Sequence, residues 1–149
     1  MFSKVGLCFM KPITLEWLAR ARDDLATAQV LLAYEDLTNM VAFHAQQGVE
    51  KALKAAIEES DLGFIRTHSL TRLYEMVRLR YPVIQDMDML DRLDAVYIEA
   101  RYPGEMGLLP TGKPTTEEAT ELYRFAEVIF LGLQANLQET MSQSKQGEE

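Results

Sequence analysis

The stretch NMVAFHAQQGVEKALKAAIEES, residues 39–60, carries two faces at helical spacing. Ala45, Val49, Ala52, Leu53 and Ala56 recur at intervals of three and four. That spacing is the stripe of an amphipathic helix rather than the alternation of a strand. His44, Gln47, Glu50, Lys51 and Lys54 fall within about a third of the circumference, opposite the stripe. A solvated face with a Glu50–Lys54 pair one turn apart accounts for much of this. It does not account for Phe43, an aromatic within the polar arc that asks for a partner surface. Nor does it account for Gly48, since glycine in a helix interior costs about 1 kcal/mol relative to alanine. Phe43 and the small residues Gly48, Ala52 and Ala55 therefore read as a close-packing or dimer seam, for another helix or a second subunit.

Helical periodicity extends outward in both directions. Upstream, Thr14 is the expected cap of a first helix reaching to about Glu35, with Leu18, Ala21, Leu25, Ala28 and Leu32 as its stripe. Asp24 and Trp17 flank that stripe. Asp36 to Asn39 read as a short turn, which makes the first two helices antiparallel neighbours. Downstream, His68-Ser69-Leu70 opens a third helix with Leu70, Leu73 and Val77 inward, stopped before Pro82. A fourth helix over about Asp86 to Glu99 turns Leu90, Leu93 and Tyr97 inward and ends at Pro103-Gly104. Thr115 with Glu118 forms a capping box for the last helix, whose stripe is Ala119, Leu122, Ala126, Ile129, Leu133 and Leu137. The expected fold is an all-α, up-and-down bundle of four to five helices over residues 14–138. Residues 1–13 read as an N-terminal extension, with Met10 as an alternative start, and 139–149 as a disordered polar tail.

With 149 residues, 48% of them hydrophobic, the chain is long enough for one continuous core. The net charge of −8 excludes a protein whose whole surface tracks nucleic acid, though not a small phosphate-binding patch. Cys8 is the single cysteine, so no intrachain disulfide framework forms and a reducing, cytoplasmic setting is expected. The run VGLCFM is too short for a signal-peptide core, and no stretch approaches the ~20 apolar residues of a membrane span.

Two further segments attract attention. His68, in RTHSL, precedes a helix start, where unpaired backbone N–H groups favour an anion; a loop histidine helping to cap that helix is the plainer reading. Arg101 and Tyr102, in YIEARYPGE, sit at a helix end, where arginine is favourable on electrostatic grounds alone. His44 and His68 make no zinc site without further ligands, the Gly-Lys pair in GLLPTGKP lacks the spacing of a phosphate loop, and nothing marks a nucleophile elbow. No metal or cofactor is implied. His44, Gln47, Lys51, Lys54, His68, Arg101 and Tyr102 remain as candidate ligand-binding residues, with two lysines and an arginine suited to phosphate.

WLARARDDLATAQVLL, FHAQQGVEKALKAAI, HSLTRLYE and EARYPG, in that order, resemble the HEPN domain family over roughly residues 14 to 135. The order of the four segments is specific, although no single one is. The resemblance implies an all-α bundle that dimerises, and a neighbouring minimal nucleotidyltransferase in a toxin–antitoxin-like pair. Many members are metal-independent RNases that carry an arginine followed, after four to six residues, by histidine. None of the nine arginines here stands at that spacing. The positions serving His68 are Asp61, Leu62 and Gly63; those serving His44 are Leu37, Thr38 and Asn39. The expectation is a non-catalytic nucleotide- or partner-binding module. The alternative is an RNase with a variant site, in which His44 or His68 is the acid/base and Arg101 or Lys51 stabilises phosphate charge.

Overall fold

Pro12 sets the start of the first helix. Its ring fixes a helical φ, and the N–H it lacks would have had no partner in the first turn. The computed structural model describes the backbone over residues 10–101 and 113–147, and side chains over 10–96 and 113–139. Among these residues there are five α-helices and no strand: α1 Pro12–Leu31, α2 Thr38–Glu59, α3 Leu70–Val77, α4 Met87–Arg101 and α5 Thr116–Gly147. A 3₁₀ turn, Glu35–Leu37, joins α1 to α2.

Thr14 is not the cap of α1. It lies inside the helix, wholly buried, and its hydroxyl donates to Glu59 Oε1 at 2.8 Å. The Lys11 backbone N–H donates to the same oxygen at 3.1 Å. The Lys11 ammonium bonds the Glu58 carbonyl at 3.0 Å and pairs with Asp61. The beginning of α1 is thereby tied to the end of α2, and the packed region reaches back to Met10, itself buried. α1 ends at Leu31, short of Glu35, and the last member of its stripe, Leu32, is partly buried just beyond it.

α2 is the central helix, in contact with α1, α3, α4 and α5. That position explains its many small residues. Gly48, Ala52 and Ala55 are buried, and a Cβ placed on Gly48 would lie 2.9 Å from Leu25 Cγ and Cδ2. The seam is therefore occupied from within the bundle, where it lets α1 approach closely. Phe43 is half-buried and meets His44 edge-on at 5.2 Å between ring centroids.

The remaining elements follow local chemistry. Asp86 caps α4 by accepting from the Met89 N–H at 3.0 Å. Thr115 and Glu118 form the reciprocal capping box of α5, at 2.9 and 3.1 Å. The Tyr74 hydroxyl donates to the Ile84 carbonyl at 3.1 Å and accepts the Ile84 N–H at 3.2 Å, fixing the turn after α3. Lys113 Nζ donates to the Asp36 carbonyl at 2.8 Å, joining the start of α5 to the α1–α2 turn. α5 carries its buried stripe from Ala119 to Leu137 and continues to Gly147, through the segment expected as a tail. The Tyr97 side chain lies outside the described residues. No described helix is long and apolar enough to cross a membrane.

Candidate functional site

The polar arc of α2 is not a solvated face. It is built around two carboxylates, one from α1 and one from α2 itself.

The first is Asp24, on the flank of the α1 stripe beside Leu25 and only 9% exposed. His44 and Lys51 lie seven residues apart, two helical turns, so both project from α2 toward α1. Asp24 Oδ1 meets His44 Nδ1 at 2.9 Å and Oδ2 meets Lys51 Nζ at 2.6 Å. Each oxygen has its own basic partner. This matters because an unpaired buried charge is costly, whereas a paired and hydrogen-bonded one is tolerated.

The second is Glu50, read from the sequence as part of the exposed arc but in fact 3% exposed. The chain after α2 reverses through two left-handed residues, Asp61 (φ 55°) and Gly63 (φ 88°), of which glycine tolerates that conformation without a Cβ penalty. Residues 64–69 then run back along α2. His68 Nδ1 comes to 3.1 and 3.3 Å from the two Glu50 oxygens, and the His68 carbonyl accepts from Gln46 Nε2 at 3.1 Å. Lys54 Nζ donates to Glu50 Oε2 at 2.9 Å, while Gln46 and Gln47 approach Oε1 at 3.4 and 3.5 Å. Gln47 Nε2 also donates to Gln46 Oε1 at 2.8 Å. Gln46, with no exposed surface, is thus satisfied at both its amide nitrogen and its oxygen.

The cluster is electrically balanced, with two carboxylates against two lysines when both imidazoles are neutral. The side chains of His44, Lys51 and Lys54 retain 23%, 25% and 15% exposure, and that of His68 retains 61%. The basic groups on this face are therefore already held by carboxylates, and the surface is partly open at His68 and Lys51.

The start of α3 bears on the two readings of His68. Its N–H groups are not left for an external anion, because Asp94 of α4 takes that place. Asp94 Oδ1 accepts the Leu70 N–H at 2.9 Å and Oδ2 the Ser69 hydroxyl at 3.4 Å. Burial raises the Asp94 pKa above its usual 3.8, opposed by the hydrogen bonds from Leu70, Thr71 and Ser69. His68 is thus held beside Glu50 rather than at an empty anion site.

Of the residues singled out from the sequence, His44, Gln47, Lys51, Lys54 and His68 come together. Arg101 ends α4, but its side chain, like all of Tyr102, lies outside the described residues. Sequence reasoning gave Asp24 and Glu50 only supporting parts and missed Gln46 and Asp94. A signal for Gln46 was present: three residues before Val49 and seven before Leu53, it is a polar residue on an apolar stripe. Asp94 announced itself by nothing local. Among the described residues no group of three His, Cys, Asp or Glu side chains is placed to hold a metal ion.

Comparison with known proteins adds a family. The model of the HEPN domain matches residues 14–134. The crystal structure of TT1696 from Thermus thermophilus is similar, with a TM-score of 0.64 and 28% identity, covering 83% of this chain and 97% of that one. No curated protein sequence matches the chain.

Proposed function

The chain belongs to the HEPN domain family, and on that footing we propose that it is a non-catalytic module that binds a phosphate-bearing ligand, a nucleotide or RNA. The observation that carries this is the double carboxylate cluster. A bundle of this size gains little from burying Asp24 and Glu50, since apolar residues of similar volume serve stability as well or better. What the two carboxylates do is hold His44, Lys51, Lys54 and His68 in fixed positions along one surface. The absence of an arginine at the RNase spacing supports binding without cleavage. The resemblance further supports a homodimer that works beside a minimal nucleotidyltransferase in a toxin–antitoxin-like pair.

Because both lysines are already paired, affinity is expected to be modest and salt-sensitive, exposed charge being screened over about 10 Å at 0.1 M salt. Titration with ATP, GTP and short RNA, in wild type and in Lys51→Ala, is the test. Binding weakened in the variant supports the proposal; binding unchanged, or none at millimolar ligand, makes the cluster a folding or partner surface. Co-purification with a nucleotidyltransferase encoded beside it tests the partner.

A second reading, an RNase with a variant site, is favoured by one feature. Each imidazole has a carboxylate at Nδ1, the arrangement that orients a general base. Metal-independent cleavage of RNA, lost in His44→Ala or His68→Ala, would establish it in place of the first.

A further inference from the structure

α5 carries a second apolar row, on the side away from the core. Val128, Leu131 and Ala135 stand at spacings of three and four, and all are exposed, Val128 by 64% and Leu131 by 52%. Single exposed aliphatics are ordinary on a protein surface, but three in one row of one helix form a stripe that can seat another helix. The row ends in charges of opposite sign. Arg124 lies one turn before Val128 and Glu139 one turn after Ala135, both exposed. Neither has an ion-pair partner among the described residues. Gly48, Ala52 and Ala55, the seam that the sequence suggested for a second subunit, are buried within the bundle. A contact between subunits therefore requires another face.

We infer that this stripe is the contact surface for a second copy of the chain, laid antiparallel on the first along α5. This rests on the homodimer reading above, which named no surface, and supplies one. The row is self-complementary in that arrangement. Positions 124, 128, 131, 132, 135 and 139 are spaced symmetrically about the Leu131–Gly132 bond. Reversing the helix sets Arg124 opposite Glu139, Val128 opposite Ala135 and Leu131 opposite Gly132. Each pairing is large against small or cation against anion, and the two-fold axis repeats it on both sides. Val83 lies 3.4 Å from where a Cβ on Gly132 would stand, so Leu131 of the second copy meets a small floor with an apolar wall beside it. A parallel arrangement would set Arg124 against Arg124 and Glu139 against Glu139, which is repulsive. From Arg124 to Glu139 is 15 residues, or about 22 Å of helix. One helix pair of that length buries less than the roughly 800 Å² per partner of a standard interface. The dimer is therefore micromolar rather than nanomolar, and its charged ends set the register more than the strength.

Sedimentation of the full chain across the micromolar range measures the association, with circular dichroism checking the helical content of each variant. Wild type is expected to pass from monomer to dimer over that range. Leu131→Glu, at an exposed position outside the core, should weaken association at least about a hundredfold. Arg124→Glu and Glu139→Arg should each weaken it roughly tenfold. Combined, they should return to within about threefold of wild type, because the exchanged pair re-forms in the antiparallel register. A wild type that stays monomeric throughout would overturn both this face and the homodimer. A dimer that Leu131→Glu leaves intact would refute the face and place the homodimer on another surface. Association lost in Leu131→Glu but not recovered by the charge exchange would refute the antiparallel register.

Discussion

Replacing Glu50 by glutamine should destabilise the bundle far more than loss of an ordinary pair one helical turn apart. On an exposed helix surface such a pair contributes about 0.3–0.5 kcal/mol. Here the carboxylate side chain is 4% exposed and its Lys54 partner 15%, so removing the charge strands a cation that is mostly out of water. Breaking a buried pair from one side costs about 3–5 kcal/mol. The lysine stem is flexible and Trp17 still offers it a ring face, each of which lowers the cost. About 2–3 kcal/mol is the expected loss, or a fall in Tm of roughly 5–10 °C for a chain of this length. Urea denaturation followed by circular dichroism measures it, with an unchanged m-value confirming that the denatured state is the same. Adding Lys54→Met to the glutamine variant should recover at least about 1 kcal/mol, because it removes the stranded charge and keeps an apolar stem on Trp17. If Glu50→Gln stays within about 0.5 kcal/mol of wild type, the carboxylate is effectively solvated and the account of a built cluster is wrong.

Gly48→Ala should lose about 1 kcal/mol net, because crowding of Leu25 outweighs the helix-propensity gain. Gly48→Leu should lose several-fold more, and a leucine variant as stable as wild type would mean that α1 is not closely packed there. Asp94 is held to a raised pKa in the folded state, so the fold binds its proton more tightly than the unfolded chain does. The stability of wild type relative to Asp94→Asn should therefore decline as pH rises from 3.8 into the raised range, then level off; a flat difference refutes the burial. Thr115→Ala should cost about 1 kcal/mol by removing the hydroxyl half of the capping box. Glu118, whose pKa is lowered chiefly by the Thr115 N–H, should keep most of that shift in an NMR titration of the same variant, its stabilisation present above 4.5 and lost as pH falls through the lowered value.

These cases show where sequence sufficed. Stripes such as Leu18–Leu25 and Ala119–Leu137, and the Thr115–Glu118 box, are one-dimensional patterns: each residue's neighbours are set by a helix it already belongs to. Thr14 failed because two rules competed. It is a good cap by type, but Pro12 is a better first helical residue by backbone geometry, and the proline prevailed. Glu50 failed for a different reason. A helical wheel gives direction, not cover, and what buries Glu50 is a segment 18 residues on, whose return depends on the left-handed turn at Asp61 and Gly63. Asp94 lies a further helix away from the N-terminus it caps. The candidate residues on α2 were therefore legible as a set, while the carboxylates that organise them were not.

The bonds from Lys11 and Thr14 to Glu59 close the α1–α2 hairpin at the end opposite its 3₁₀ turn. Helix ends ordinarily fray independently, each terminus opening at little cost in free energy. In this hairpin they are not independent, since the first turn of α1 cannot unravel without releasing the last turn of α2. That last turn also launches the segment that carries His68. Amide hydrogens at Leu15, Ser60 and Leu62, which would otherwise exchange as separate loose ends, thus belong to one opening event that includes the segment carrying His68.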